Sequence, residues 1–91
     1  MRYMRVEWRH DHADEPVLLF SEVECGQEVR KVEIFRSGEM GYADALTSRG
    51  GTVLGEGMIP TLEEINSSEE FMGREIGAAD FERIWNQAHE T

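Results

Sequence analysis

Cysteine, proline and long apolar runs are all scarce in this sequence. Cys25 is the only cysteine among 91 residues, so no disulfide can form within the chain. The longest apolar run, Val17 to Phe20, is four residues long, whereas a membrane-spanning helix needs roughly 20. The first residues, MRYMRVEWRH, lack the apolar centre of a signal peptide. These absences predict a cytoplasmic protein, and the length predicts one domain over residues 1–91.

Basic residues are also few, and lysine occurs once, at Lys31. Nineteen acidic residues stand against nine basic ones, which gives a net charge of −10. Residues 1–55 hold ten acids and seven bases, a net −3, and residues 56–91 hold nine acids and two bases, a net −7. Binding to nucleic acid or to a membrane surface needs clustered Lys and Arg, so we expect neither. The acidic surface either keeps the chain soluble or meets a basic partner.

Alternating apolar and polar residues predict strands in the first half of the chain. In β-strands successive side chains point to opposite faces, and Met4, Val6 and Trp8 alternate with charged residues. Turns are predicted at Cys25-Gly26 and Ser37-Gly38. The predicted strands cover residues 2–9, 17–24, 28–36, 39–44 and a glycine-interrupted segment at 52–58, with loops at 10–16 and 45–51.

After Pro60 the spacing of apolar residues changes from the period of strands to that of helices. Thr61 and Glu64 have the spacing of a helix-capping box, which predicts a short helix ending at residues 66–68. Residues 70–76 give no clear pattern, and we expect Phe71 and Ile76 to anchor this segment to the core. Phe81, Ile84, Trp85 and Ala88 form one apolar stripe, which predicts a second helix over residues 78–89.

Strands that precede helices favour an α+β fold over alternating βαβ units. The short turns between the strands favour an antiparallel sheet. We therefore predict a four- to five-stranded antiparallel sheet followed by two helices, with the C-terminal helix packed on one sheet face. In this arrangement Phe81 and Trp85 would contact Met4, Val6, Trp8 or the 17–20 run.

Acidic residues in the helical region are the most informative candidate binding surface. Side chains spaced along helices can present negative charge at intervals like those of a phosphate backbone, and such a surface suits a basic groove. A solvated helix face would carry the same residues, and the sequence leaves both interpretations open. The candidate partner-binding residues are Glu63, Glu64, Glu69, Glu70 and Glu75.

Other candidate sites lack the spacing that their chemistry requires. His10 and His12 would point the same way in an extended segment and could chelate a metal, but no third ligand is evident. Cys25 follows Glu24, whose charge opposes the thiolate that a nucleophile requires. Four carboxylates on adjacent predicted strands could cluster for acid–base chemistry, or they could pair with interleaved bases across the strands. The carboxylates are Glu22, Glu24, Glu28 and Glu33, and the bases are Arg30, Lys31 and Arg36. We expect no catalytic residue, metal or cofactor.

Five segments of the chain carry a resemblance to other proteins: DEPVLLFSE at 14–22, EVRKVEIF at 28–35, GYAD at 41–44, PTLEEIN at 60–66 and FERIW at 81–85. Together they resemble a family of small stand-alone bacterial proteins of unknown function. The resemblance covers nearly the whole chain but implies no activity and no site residues. Small, acidic, single-domain members would suit accessory proteins such as immunity proteins, antitoxins or phage inhibitors of host defence.

These observations favour a non-enzymatic binding protein. We expect it to inhibit a basic nucleic-acid-handling protein, in the manner of a phage anti-CRISPR or toxin-immunity protein, and to be a monomer or homodimer. One alternative is a small metal-dependent enzyme that uses His10 and His12. Another is a constitutive subunit of a complex, because the edges of a small sheet invite pairing.

Overall fold

The computed structural model describes residues 1–90 and contains six strands and two helices. In chain order they are β1 (Arg2–Trp8), β2 (Pro16–Glu24), β3 (Gln27–Phe35), β4 (Met40–Asp44), β5 (Ser48–Arg49), α1 (Leu62–Asn66), β6 (Phe71–Glu75) and α2 (Ala78–His89). The strands form one sheet in the order β5-β4-β3-β2-β1-β6, with every neighbouring pair antiparallel. Neither helix is long and apolar enough to cross a membrane within residues 1–90.

The predicted α+β fold is confirmed, but three segments differ from the prediction. Residues 52–58 are not a strand, because Gly57 has a φ of 71° and only Met58 forms a bridge, with Gln27. The predicted loop at 45–51 contains the two-residue strand β5. Residues 70–76, which had no clear pattern, contain the whole of β6 and place a strand between the two helices. The sheet therefore has six strands rather than four or five.

The long helix α2 packs on one sheet face, as predicted. Phe81 is fully buried and clusters with Phe20 and Val32. Its ring lies 5.4 Å from that of Tyr3, and the Trp85 ring lies 5.5 Å from that of Tyr42. Truncating a buried Phe to Ala typically costs roughly 3–5 kcal/mol, so Phe81 is a principal anchor of the fold.

The opposite sheet face carries the apolar residues of β1. Met4 pairs with Ser21 and Val6 with Leu19, which places them on the face that Phe20 does not occupy. The predicted contact of α2 with Met4, Val6 and Trp8 is therefore wrong, although its contact with the 17–20 run is confirmed through Phe20. A period of two separates the two faces of a strand without saying which face a helix covers. Here α1 and the segment from residue 52 to 60 lie on this second face.

Candidate functional site

The capping box at the start of α1 is present as predicted. The Thr61 hydroxyl accepts a hydrogen bond from the Glu64 amide at 3.2 Å, and the Glu64 carboxylate accepts one from the Thr61 amide at 3.2 Å. These contacts satisfy backbone donors that a helix start otherwise leaves free. They fix a helix of only five residues, which would be unstable alone.

The Asn66 side chain joins α1 to the outer edge of β6. Its amide nitrogen donates to the Gly73 carbonyl at 2.9 Å, and its amide oxygen accepts from the Gly73 amide at 2.6 Å. A further strand would make the same two contacts, so this amide covers part of an edge that is otherwise open to pairing. A side chain at Gly73 would crowd Leu62 and Ile65. The glycine therefore lets α1 approach the sheet closely.

An apolar groove runs across the second sheet face between α1, β6 and residues 59–61. It consists of two adjoining clefts of about 310 and 510 Å³, which share Met4, Ile59 and Pro60 as walls. The larger cleft is also lined by the apolar residues Val6, Leu19, Ile65 and Phe71. Clefts of this size bind small molecules or a few side chains of a partner.

Buried polar contacts fix the wall of the groove formed by the segment after β5. The Glu28 carboxylate accepts hydrogen bonds from the Ser21 hydroxyl at 2.6 Å and the Gly55 amide at 2.7 Å. The Thr52 hydroxyl donates to Glu33 at 2.7 Å, and the Lys31 ammonium lies 3.6 Å from Glu33. A buried carboxylate with partners is stable where an unpaired one would be costly. We interpret these groups as structural supports for the groove.

The candidate acidic residues lie around this groove, which we call the acidic groove. Glu63 and Glu75 line the smaller cleft, and Glu64 lines the larger one. Glu69 and Glu70 lie in the turn before Phe71 and do not line either cleft. All five side chains are exposed. Two have local partners, since Glu75 forms an exposed ion pair with Arg2 and Glu64 caps α1.

The histidine loop gives little support to the metal-enzyme alternative. The His10 Nε2 atom lies 2.8 Å from the Pro16 carbonyl, and Nδ1 accepts from the His12 amide at 2.9 Å. Both ring nitrogens of His10 are therefore engaged by the backbone and are not free to bind a metal. Within residues 1–90 no three His, Cys, Asp or Glu side chains are grouped as metal ligands would be. Cys25 is exposed in a turn with a φ of 52°.

An ion cluster under α2 contains Glu22 and Arg30, two of the residues expected to pair across strands. The Arg30 guanidinium donates to both Glu22 oxygens, at 2.6 and 2.8 Å, and also to Glu82 on α2. Its central carbon lies 4.9 Å from the Phe81 ring and 5.0 Å from the Trp85 ring, as in cation–π contacts. The cluster joins α2 to the sheet, which is a structural function.

This ion cluster shifts the pKa values of its members. The hydrogen bond from Arg30 holds the pKa of Glu22 below its ordinary value, against the opposing effect of burial. The hydrogen bonds from Arg30 to Glu22 and Glu82 raise the pKa of Arg30. Burial and the hydrogen bond to Glu22 raise the pKa of Tyr3. Glu22 is therefore charged and fully paired near neutral pH, so it is not a free catalytic acid or base.

Sequence reasoning missed Asn66, Ile59 and Phe71 as parts of this site. Asn66 has the sequence signature of a helix end, and its pairing with Gly73 depends on the edge position of β6. Phe71 and Gly73 face the groove while Met72 is exposed, so β6 has no apolar alternation. Local sequence signals marked Asn66 as a helix end and Phe71 as an apolar anchor, but they did not indicate the groove, which forms only when β6 pairs with β1.

Comparisons with known proteins identify the family of the chain. No curated protein and no solved structure matches it. A family model described as a domain of unknown function, DUF6881, matches residues 2–90. The match confirms the expected resemblance to a family of unknown function, without showing a bacterial origin. The chain therefore belongs to the DUF6881 family.

Proposed function

We propose that this chain is a non-enzymatic binding protein that inhibits a basic nucleic-acid-handling protein by covering its basic surface. The observation that supports this proposal is the acidic groove, in which carboxylates surround an apolar floor. Glu63, Glu64 and Glu75 border clefts whose walls include Met4 and Ile59. Such a surface complements a protruding basic segment that carries apolar side chains.

The apolar floor and the carboxylates of the acidic groove would make different contributions to binding. Burial of partner side chains against the apolar floor would supply affinity, at roughly 25 cal/mol for each Å² of apolar surface buried. The exposed carboxylates would speed the encounter and reject acidic partners. The free, exposed thiol of Cys25 suits a reducing compartment, and we propose that the protein acts in the cytoplasm.

Inhibition would follow from competition for the same cations. A nucleic-acid-handling protein binds phosphates with clustered Lys and Arg, and a domain of net charge −10 is attracted to such a cluster. Once bound, its carboxylates would occupy the cations that the nucleic acid needs. This mechanism requires no catalytic group in the inhibitor.

Capture from lysate of the source cell with three baits tests the proposal. The baits are the wild-type chain, a groove variant (Glu63→Gln, Glu75→Gln) and a loop variant (Asp11→Asn, Asp14→Asn). Both variants lose two exposed acids, and neither loses the capping residue Glu64. We expect the wild type and the loop variant to retain one basic nucleic-acid-binding protein, and the groove variant to lose it.

Three results would contradict this assignment. Equal loss of the partner by both variants would mean that net charge alone drives binding. Retention of the partner by the groove variant, or capture that ignores salt, would mean that the carboxylates of the groove do not contribute, because exposed charge interactions weaken as salt rises.

A further inference from the structure

Three arginines from three different elements line a second groove, on the sheet face that α2 covers. Arg5 comes from β1, Arg74 from β6 and Arg83 from α2. The groove has a volume of about 370 Å³, and we call it the arginine groove. It lies on the opposite sheet face from the acidic groove, since Arg5 and Val6 are successive residues of one strand.

The direct pairing of Arg5 with Arg74 is unfavourable unless an anion joins the two side chains. Arg5 and Arg74 are directly paired between β1 and β6, and like charges in directly opposed positions destabilise a sheet. Neither forms an ion pair or a side-chain hydrogen bond with any of residues 1–90. Arg83 has a carboxylate partner, the exposed Asp80 at 3.3 Å.

A shortage of acids does not explain the unpaired state of Arg5 and Arg74. The chain has nineteen acids and nine bases, and Arg2, Arg9, Arg30 and Lys31 each lie in an ion pair with a carboxylate. Arg36 and Arg49 also lack an ion pair within residues 1–90, but both are exposed. Arg5 is also half-buried, where an unpaired charge is less well hydrated. An anion from solution would remove both the repulsion and the loss of hydration.

We propose that the arginine groove binds a small organic phosphate, a phosphate monoester with an apolar or aromatic body. Guanidinium groups bind phosphate oxygens in pairs through their planar N–H donors. Three arginines and Asp80 give the groove a net charge near +2, which balances the roughly −2 charge of a phosphate monoester. Phe20, Ile76 and Ile84 provide an apolar wall for the organic body.

Calorimetric titration of the full chain with adenosine 5′-monophosphate tests this proposal. Inorganic phosphate and acetate serve as parallel probes, and the variants are Arg74→Gln and Arg83→Gln. The control is Arg49→Gln, which changes an exposed arginine on β5, outside the groove. We expect saturable nucleotide binding that weakens at least tenfold in both groove variants, as for loss of a charged hydrogen-bond partner, and stays unchanged in the control.

Thermal unfolding separates binding from a merely structural function of Arg74. We expect adenosine 5′-monophosphate to raise the midpoint temperature of unfolding of the wild-type chain, because a ligand that binds the folded state stabilises it. The midpoint temperature of Arg74→Gln should not change. Without anion, Arg74→Gln should unfold at the same or a higher temperature, because a repulsion is removed.

Four results would overturn the proposal. One is the absence of saturable binding to every probe at millimolar concentration. Another is binding that neither Arg74→Gln nor Arg83→Gln weakens. Equal affinity for inorganic phosphate and for the nucleotide would show that the apolar wall does not bind the organic body of the ligand. Binding of acetate alone would assign the groove to carboxylates instead.

Discussion

At the scale of single residues, the clearest physical feature is the pairing of Glu22 with Arg30. Glu22 is nearly buried, and both of its oxygens accept hydrogen bonds from Arg30 at 2.6 and 2.8 Å. Arg30 also contacts Glu82, so the cluster connects β2, β3 and α2. Removing one member of such a cluster leaves a charge with fewer partners in a poorly hydrated place.

Replacing Glu22 with Gln should destabilise the protein in a pH-dependent way. We expect a loss of about 2 kcal/mol in the free energy of unfolding at neutral pH, since one charged hydrogen-bond acceptor is removed. The pKa of Glu22 in the folded chain lies below its ordinary value of 4.5. Its stabilising effect is therefore complete above that ordinary value and is lost as the pH falls through the lower, folded value.

Urea unfolding of the wild type and Glu22→Gln across the acidic pH range measures this effect. The difference in unfolding free energy should be largest near neutral pH and should shrink in acid. A difference that stays constant with pH would mean that shape, rather than charge, accounts for the loss. The pKa of Asp44 is also lowered, by hydrogen bonds from the Leu46 and Thr47 amides, so the wild type itself should weaken in acid.

At the scale of elements, the α1–β6 unit determines the candidate site. Helix α1 depends on the capping box at Thr61 and on packing against β6, and Gly73 permits that close packing. Asn66 covers the outer edge of β6 with two hydrogen bonds. Exposed sheet edges promote association between chains, and natural proteins cover them.

Replacing Asn66 with Ala should both destabilise the unit and open the edge. We expect a loss of roughly 1–3 kcal/mol in the free energy of unfolding, since two hydrogen bonds are removed and each typically contributes about 0.5–1.5 kcal/mol. We also expect concentration-dependent self-association. Urea unfolding and light scattering measure the two effects. Asn86→Ala, an exposed change on α2, is the matched control and should cause neither. An Asn66→Ala variant that stays monomeric and is as stable as the wild type would contradict the edge-covering function of Asn66.

Some elements of this chain could be predicted from the sequence, and others could not. Strands β1 to β4, both helices and the capping box followed from apolar periods and local turn chemistry, which depend on neighbours in sequence. Strand β6 and the face that β1 presents to α2 did not, because they depend on pairing between residues about 70 positions apart, as in Met4 with Glu75. The acidic residues were found by composition, whereas the groove that they surround needs the folded sheet.

At the scale of the whole molecule, the sheet separates two surfaces of opposite character. The acidic groove lies on the α1 side, and the arginine groove lies on the α2 side. The net charge of −10 gives the chain a long-range preference for basic partners, and the arginine groove is a local exception to it. Because the two grooves occupy opposite faces, a protein partner and a small phosphate could bind together.

Competition between this chain and nucleic acid for the captured partner tests whether the chain inhibits by covering a basic surface. The measurement is the affinity of the chain for that partner at increasing concentrations of nucleic acid, at low and at moderate salt. We expect the apparent Kd to rise in proportion to nucleic acid and added salt to weaken binding. A stable ternary complex, with a Kd that nucleic acid does not change, would contradict inhibition by coverage of the basic surface.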